Sequence, residues 1–293
     1  MSPERIREQH RELLAWWEPR RLAYPWRRTS DAYAVLVSEV MLQQTQASRV
    51  VPAFERFLAR FPSVRALASA PRSEVVRAWD GLGYNGRAVR LSLAAKCIVE
   101  RHDSVVPSDP ETLRSLPGVG PYTAAAVASI VHGAPVAAID TNVRRVAGRV
   151  LAGRDDEDPM VVERLAQRWI DRARPGDWNQ AVMDLGRTVC RARPACAACP
   201  LRSACAFSAR GGKPVRAGRR QPPFSGSSRQ VRGAVVRELR RVPSASLGRL
   251  AAATGHPLDR VADATLALAA DGVVAAGPGA ARGSPRGRVR LAR

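Results

Sequence analysis

Glu39 is an acid in an otherwise apolar helical pattern. The segment AYAVLVSEVMLQQTQASRVV follows Asp31, a residue type that caps helix N-termini, so we expect a helix there. At a period of 3.6 residues, the positions three and four residues away from Glu39 are mostly apolar. A carboxyl group on such a face is desolvated, which raises its pKa and suits it to donate a proton. The alternative is a buried glutamate held by a structural partner.

Asp140 is the second acid placed where it could do chemistry. It follows an apolar, strand-like run from Pro135 to Ile139 and stands at the start of a predicted helix, DTNVRRV. The alternative is structural, because Asp at this position commonly caps a helix. A tight glycine turn lies upstream, and we call it the glycine hairpin. Its residues Gly118, Val119 and Gly120 would offer backbone N–H groups to a phosphate. We therefore expect this stretch to hold DNA and Asp140 to act on it.

Four of the five cysteines crowd into sixteen residues. They are Cys190, Cys196, Cys199 and Cys205, with the spacing C-x5-C-x2-C-x5-C. In a reducing compartment such clustering favours a metal over disulfides, and four thiolates can enclose a structural zinc or an iron–sulfur cube. Zinc ribbons usually pair two CxxC units, so the single CxxC here fits a [4Fe–4S] cluster better.

The charge of the chain indicates a polyanionic partner. The 293 residues carry a formal charge of +21, and residues 186–293 hold 21 basic and 4 acidic residues. An arginine-favouring genome would explain why arginines far outnumber lysines, but it does not explain the excess of base over acid. No apolar run is long enough to span a bilayer, and the N-terminus does not read as a signal peptide. We therefore expect a cytoplasmic protein associated with the nucleoid.

Helical patterns fill most of the chain up to residue 205. Residues 207–228 are rich in Gly, Pro, Arg and Ser, which is typical of a linker. Beyond them, helical patterns cover residues 229–240, 247–253 and 258–270, and a short apolar run follows. Three helices with a two-stranded wing would suit a small winged-helix module. The sequence thus predicts an all-α fold with a helical domain over residues 1–206, a basic linker over 207–228 and a C-terminal winged-helix-like domain over 229–293.

Six motifs, in one order along the chain, carry a family resemblance. They are SEVMLQQTQ from Ser38, GLGY from Gly81, LPGVGPYTAAA from Leu116, DTNVRRV from Asp140, WNQAVMDLG from Trp178 and the cysteine loop. Together they resemble the helix-hairpin-helix DNA glycosylases, the endonuclease III-like group, over about Leu13 to Cys205. The Glu39 helix with its two glutamines, combined with WNQAVMDLG, is similar to adenine DNA glycosylases of the MutY type. The resemblance implies a two-lobed helix-hairpin-helix fold with an iron–sulfur cluster loop.

The resemblance implies different roles for the two acids. Glu39 would protonate adenine at N7, and its conjugate base would then handle the attacking water. Asp140 would stay ionised and stabilise the oxocarbenium-like sugar, with Asn142 orienting its carboxylate. Tyr122 stands where bifunctional relatives carry the lysine that forms a Schiff base, and a phenol cannot form an imine. We therefore expect a monofunctional glycosylase that leaves the strand uncut.

The resemblance also assigns contacts to DNA, whose target base must leave the stack before it is cut. Gln44 and Tyr84 match residues that wedge into the duplex and contact the opposite base. Arg144 falls where relatives often place a lysine, and it is assigned to DNA binding. The glycine hairpin is assigned to the phosphate beside the flipped nucleotide. The residues assigned to the adenine pocket are Trp26, Arg27 and Gln180. The expected partner is double-stranded DNA with adenine opposite 8-oxoguanine or guanine, bound by a monomer.

The sequence departs from the family pattern in two places. The first cysteine gap has five residues where the family usually has six, which bears on cluster occupancy. Many members end in a Nudix-like domain that reads 8-oxoguanine, and no such pattern follows the linker here. We therefore expect the C-terminal part to add non-specific phosphate binding, with opposite-base preference resting on Gln44, Tyr84 and their surroundings.

Two other functions compete with this interpretation. A thymine or uracil mismatch glycosylase shares the scaffold, because Tyr122 together with Asp140 also occurs there. Glu39 favours a purine, since protonation at N7 needs an acid. The other rival is a non-enzymatic DNA-binding iron–sulfur protein with a degenerate site. The filled acid positions argue against it.

Overall fold

A computed structural model describes residues 2–214 and 223–293 of the chain. Helices dominate this part, which confirms the all-α class predicted from the sequence. Within these two ranges, no helix combines the length and the apolar composition needed to cross a membrane. Residues 215–222 of the predicted linker lie outside the described residues, and the predicted domain boundaries stay predictions.

Residues 2–214 contain twelve helices, the last of which overlaps the start of the predicted linker. The first six are α1 Pro3–Trp17, α2 Ala32–Leu42, α3 Ala47–Arg60, α4 Val64–Ser69, α5 Arg72–Ala78 and α6 Gly86–Arg101. The next six are α7 Pro110–Arg114, α8 Pro121–His132, α9 Thr141–Ala147, α10 Pro159–Trp169, α11 Pro175–Thr188 and α12 Ala206–Ala209. Short 3-10 turns cover Glu18–Arg20, Pro25–Arg27 and Cys196–Ala198, and a π-helical turn covers Gly148–Ala152.

The described residues form two compact units. The first contains the chain up to Glu39, then Val106–Ser115, and then the chain from Val119 through the cysteine loop. Its core consists of apolar faces of α1, α9, α10 and α11. Two of its tryptophans, Trp169 and Trp178, meet edge to face with ring centroids 5.3 Å apart. This core fixes α11 against α9, and these two helices carry much of the candidate site.

Helix α2 is surrounded by protein along most of its length. At its start the Asp31 carboxylate accepts a hydrogen bond from the Tyr33 backbone at 2.9 Å, as a capping residue does. Every residue from 33 to 41 is buried. A helix that is apolar on all sides belongs to a core rather than to a surface. Glu39 therefore sits on a helix that offers its carboxyl no polar face.

The run that precedes Asp140 is extended, but it has no strand partner among the described residues. Side chains take the place of a neighbouring strand. The Asn179 amide accepts from Ala138 N at 2.8 Å and donates to Val136 O at 2.9 Å. Gln167 accepts from Ala137 N at 3.0 Å in the same way. The predicted strand is thus an irregular segment whose backbone polar groups are satisfied by two amide side chains.

The C-terminal elements combine three longer helices with a small sheet. They are α13 Ser228–Arg241, β1 Ala245–Ser246, α14 Leu247–Thr254, α15 Leu258–Ala270, β2 Val274–Ala276, α16 Pro278–Ala281 and β3 Arg288–Leu291. The strands are antiparallel in the order β1-β3-β2, with Ala245 opposite Val289 and Val274 opposite Leu291. The predicted helix over residues 258–270 coincides with α15. The winged-helix-like module stays a prediction, and the sheet has three strands where two were expected.

The second compact unit joins these elements to α3–α6. It contains Val40–Val105, Leu116–Gly118 and the C-terminal elements. Val76 of α5 and Val89 of α6 belong to the same apolar core as α13, α15 and the sheet. Arg240 at the end of α13 donates to Val76 O at 3.0 Å and to the Asn85 side chain at 2.9 Å. The C-terminal elements therefore share a core with α5 and α6.

Candidate active site

Glu39 is a buried acid with one unpaired oxygen. Its residue is 6% exposed, and its Oε2 atom has no hydrogen-bond partner among the described residues. The pKa of Glu39 is raised to about 7, mainly by burial and to a smaller extent by the nearby charge of Asp140. A hydrogen bond from Tyr122 and the charge of Arg27 lower this pKa, but they do not outweigh burial. The expected desolvated acid is present, and it titrates near neutral pH.

Tyr122 lies in the first turn of α8 and faces Glu39. Its hydroxyl donates to the Glu39 carboxylate, and it also lies 3.7 Å from the sulfur of Met183. Burial, Glu39 and Asp140 together raise the pKa of Tyr122 well above its usual value. The phenol is therefore neutral at physiological pH and acts towards Glu39 as a hydrogen-bond donor.

Asp140 caps helix α9. Its Oδ1 accepts from Val143 N at 2.6 Å, and its Oδ2 accepts from the Asn142 side chain at 2.8 Å. Asp140 therefore does cap a helix, which was the structural alternative to a catalytic role. The carboxylate is half-buried, and it is close enough to Glu39 and Tyr122 to affect the pKa of both. Two contacts leave part of its acceptor capacity free, so capping and chemistry are compatible.

Asn142 is itself held in place by Arg145. The Arg145 guanidinium donates to the Asn142 side-chain oxygen at 2.8 Å and to Gly186 O at 2.8 Å, and its Nε donates to Cys190 O at 2.7 Å. Gly186 must be a glycine for this approach, because a Cβ there would lie 2.7 Å from Asn142 Cβ. The chain Arg145–Asn142–Asp140 fixes the direction of the carboxylate. Sequence reasoning identified Asn142 but missed Arg145.

Arg27 is bound by a partner that the sequence analysis did not single out. It forms a two-pronged salt bridge to Asp184 of α11, at 2.7 and 3.1 Å, and Trp17 Nε1 donates to the same carboxylate at 2.9 Å. Burial alone would raise the pKa of Asp184, but the hydrogen bond and charge of Arg27 lower it overall. The Arg27 side chain is therefore fixed, and its charge acts on Glu39 from a set position.

The other two predicted pocket residues are buried near this pair. Trp26 is 6% exposed, and its ring stacks on Tyr24 with centroids 4.8 Å apart. Gln180 is 5% exposed, and its side-chain oxygen has no hydrogen-bond partner within the described part of the chain. On α11, Gln180 lies one turn before Met183 and Asp184, which contact Tyr122 and Arg27 respectively. A buried, unpaired acceptor of this kind can bind a donor on a substrate.

The four predicted cysteines line one small cavity of about 20 Å³ in the first unit. Among residues 2–214 and 223–293, no three His, Cys, Asp or Glu side chains converge closely enough to bind a single metal ion. A [4Fe–4S] cluster makes a different demand, because each thiolate binds a different iron. The donors fit this group: backbone N–H groups of Leu201, Phe207 and Ser208 point at cysteine sulfurs, and Arg149 Nη1 lies 3.6 Å from Cys190 Sγ.

The glycine hairpin adopts the conformation that its sequence predicts. Gly118 has a φ of 79°, and a Cβ there would lie 2.7 Å from the Cβ of Arg90, so no other residue fits. Gly120 stands at the N-cap of α8 without a side-chain cap, and Val119 is buried. Gly120 therefore offers no side chain to the first turn of α8. Arg144, on the last turn of α9, is exposed.

Gln44 and Tyr84 both belong to the second unit and share an unusual backbone conformation. Their φ values are 56° and 45°, in the left-handed region that residues with side chains rarely adopt. Arg87, which is 4% exposed, holds both segments: it donates to Gln43 O at 2.6 Å and to Gly83 O at 3.2 Å. Such strain persists where the surroundings enforce it, and it concentrates at functional sites. The role of Arg87 was not visible in the sequence.

Comparison with known proteins gives consistent results. The sequence pattern of the HhH-GPD superfamily of base excision DNA repair proteins matches residues 37–172. The chain is 42% identical to the adenine DNA glycosylase of Mycolicibacterium smegmatis over 78% of this chain and 79% of that one. It is 45% identical to the human adenine DNA glycosylase, over 66% of this chain and 38% of the human one. Among solved structures, a thermostable thymine-DNA glycosylase superposes with a TM-score of 0.66 at 27% identity, over 71% of this chain and 98% of that one.

Proposed function

The chain belongs to the HhH-GPD superfamily of base excision DNA repair proteins and, within it, to the adenine DNA glycosylases, and we propose that it hydrolyses the N-glycosidic bond of adenine opposite 8-oxoguanine or guanine. The observation that carries this proposal is Glu39, a buried carboxyl whose pKa is raised to about 7. An acid of that pKa is half protonated at neutral pH, so it can give up a proton and take it back.

The proposed reaction uses Glu39 twice. Its carboxyl donates a proton to N7 of the adenine, the bond from C1′ to N9 breaks, and the bonding electrons leave with the neutral base. The sugar is left as an oxocarbenium-like cation. A water molecule then attacks C1′, and the Glu39 carboxylate accepts the proton that the water loses.

Asp140 would stabilise the sugar cation. Its capping bond to Val143 N and the amide contact from Asn142 fix the carboxylate without using all of its lone pairs. A fixed negative charge needs no rearrangement when positive charge develops beside it, which makes such stabilisation effective in a buried site. Arg145 supports this geometry through Asn142.

We propose that the enzyme does not cut the strand. A lyase step requires an amine that forms an imine with C1′. Position 122 carries a tyrosine, and its hydroxyl is already engaged as a donor to Glu39. Its place in the reaction is to hold the acid in position.

Adenine is favoured over thymine because two groups suit a purine. Glu39 supplies the proton that N7 needs, whereas a pyrimidine has no equivalent nitrogen. The unpaired oxygen of Gln180 is an acceptor suited to the exocyclic amine of adenine. The thymine-DNA glycosylase with a similar fold makes thymine the alternative substrate to test.

For the cysteine loop we propose a [4Fe–4S] cluster bound by Cys190, Cys196, Cys199 and Cys205. The cluster would hold the loop together from within, as a structural cofactor. Its support comes from the shared cavity and the N–H donors around it. That all four cysteines line one cavity, despite the shortened first gap, supports this assignment.

Duplex DNA is the proposed partner of a monomeric enzyme, which would place the protein on the nucleoid. We assign Gly118, Val119, Gly120 and Arg144 to phosphate groups. The exposed face of β3 adds basic charge, because Arg288 and Arg290 point outward while Val289 and Leu291 are buried. Arginines on an exposed strand face suit non-specific binding to the phosphate backbone.

The test is a single-turnover assay on duplexes with A, T or U opposite 8-oxoguanine or guanine. We expect release of adenine and intact strands until alkali is added. Asp140→Asn should bind the A:8-oxoguanine duplex and release little base. Release of thymine or uracil faster than adenine, or strand cleavage trapped by borohydride, would overturn the proposal.

A further inference from the structure

Arg149 lies against the cysteine loop, and neither the proposed chemistry nor the proposed DNA contacts use it. It belongs to the π-helical turn Gly148–Ala152 and is 1% exposed, although arginine is rarely buried in proteins. We propose that Arg149 joins the two ends of the cysteine loop before a cluster is bound, and that it thereby sets how readily the loop acquires and keeps its cluster. The inference rests on the proposed function for the identity of that cluster.

The guanidinium group of Arg149 binds the first end of the loop. Its Nη1 donates to Arg191 O at 2.6 Å, and its Nη2 donates to Ala192 O at 3.1 Å. The same Nη1 lies 3.6 Å from Cys190 Sγ. Hydrogen bonds from a charged donor are stronger than those between neutral groups. These contacts therefore hold the backbone that directly follows Cys190.

The same residue also contacts the last end of the loop. Arg149 Cζ lies 4.9 Å from the ring centroid of Phe207, which is a cation–π distance. Phe207 is buried and follows Cys205 by two residues. The Cys205 thiol donates a weak hydrogen bond to Arg149 O, with the sulfur 3.8 Å from the oxygen. One residue thus touches both ends of the loop.

A buried ion pair fixes the direction of the Arg149 side chain. Its Nη2 donates to Asp155 at 2.8 Å, and the two side chains are 1% and 6% exposed. A buried ion pair usually adds little net stability, because both charges lose their hydration. It does orient a charged group, and here that group lines the cavity that the four cysteines share. A positioning role therefore explains the pair better than stability does.

The shortened first gap between the cysteines makes these contacts important. Residues 191–195 form this gap, and Arg149 holds the carbonyl groups of the first two. At the far end of the gap, Ala195 N donates to Val189 O at 3.0 Å. A shorter gap has less slack, so its path must be well defined if Cys196 is to reach the cavity. Arg149 defines the first part of that path.

The test compares Arg149→Lys with Arg154→Lys. Lysine keeps the positive charge beside Asp155, but it lacks the planar fork that reaches two carbonyl groups and a ring. Arg154 is a matched control, because its side chain is 51% exposed, pairs with Asp156 and does not line the cavity. Each chain is stripped of iron by a chelator and then mixed with sulfide and equal amounts of iron(II) and iron(III). The loaded chain is challenged with chelator again, and its iron content and visible absorbance are followed over time.

We expect Arg149→Lys to acquire the cluster about tenfold more slowly and to lose iron about tenfold faster than Arg154→Lys. Circular dichroism should show the same helical content for both variants. The iron-free form of the unsubstituted chain gives a second measurement, which is informative even if Arg149→Lys does not fold. Its buried thiols at Cys190 and Cys205 should react with a maleimide more slowly than the half-buried thiol of Cys97.

The outcomes separate this inference from the function on which it rests. If both variants acquire and keep the cluster alike, the inference about Arg149 fails alone. It also fails if the loop thiols of the iron-free chain react as fast as they do in urea, because the loop is then open without its cluster. If the unsubstituted chain takes up no iron while Cys190 and Cys205 stay protected, the proposed cluster fails and the joining of the loop ends by Arg149 is retained.

Discussion

Replacing Glu39 with glutamine should stabilise the protein while it abolishes catalysis, and the gain should depend on pH. The amide keeps the shape of the carboxyl but cannot ionise. In the native protein the pKa of Glu39 is about 7, against 4.5 for the ordinary group. The folded state therefore binds this proton more tightly than the unfolded state does, so the contribution of Glu39 to stability falls as pH rises from about 4.5 to about 7.

The magnitude follows from the shift in pKa. Each unit corresponds to about 1.4 kcal/mol, so ionised Glu39 costs the folded state about 3 kcal/mol well above pH 7. Between pH 5.5 and pH 8.5 the advantage of Glu39→Gln over the unsubstituted chain should therefore grow by about 2 kcal/mol. The measurement is urea unfolding at several pH values, followed by tryptophan fluorescence and by circular dichroism.

Glu163→Gln, at an exposed position of α10, is the matched control for removing one carboxylate. In the same pH series, the single-turnover rate of the unsubstituted enzyme should fall about tenfold from pH 6 to pH 8, because only protonated Glu39 donates. A stability difference for Glu39→Gln that stays constant across this range would refute the desolvation argument. A rate that rises with pH would refute the role of Glu39 as the acid.

Three further predictions concern other parts of the molecule. Asp140→Ala should lose both a helix cap and the stabilising charge, so thermal unfolding should reveal about 1 kcal/mol of lost stability beside the loss of excision, whereas Asp140→Asn should keep most of the stability. Arg288→Gln combined with Arg290→Gln should lower the slope of log affinity against log salt by about 2, measured by anisotropy on undamaged duplex; an unchanged slope contradicts phosphate binding by β3. Arg87→Met should destabilise the fold by several kcal/mol in urea unfolding, since it leaves several carbonyls without their donor.

The sequence predicted what is local and periodic. Burial of Glu39 followed from the spacing of its apolar neighbours, and the cap at Asp140 followed from its residue type. The helical class and the family were predicted from the motifs and are confirmed by the comparisons. The position of α15 was predicted from its apolar pattern and agrees with the structure.

What the sequence could not supply are contacts between distant residues. Arg27 and Asp184 are 157 residues apart, and no periodicity links them. The same holds for Arg87. In the sequence it is one arginine among many, and only the structure shows the backbone carbonyls to which it donates. The positive φ of Gln44 and Tyr84 was also unpredictable, because neither residue type marks that conformation as glycine does. Such positions are set by tertiary structure, and they cluster around the proposed binding surfaces.

The helical register of α11 limits which sequence changes the enzyme can tolerate. Asn179 fixes the segment before Asp140, Gln180 is assigned to the base, and Met183 and Asp184 reach Tyr122 and Arg27. All four depend on one helical register, in which each residue advances the direction of the side chain by about 100°. A single residue inserted between Gln180 and Met183 would rotate Asn179 and Gln180 by about 100° relative to Met183 and Asp184. The two pairs of side chains would then no longer face the same site. This helix should therefore tolerate substitutions on its outer face far better than any change in its length.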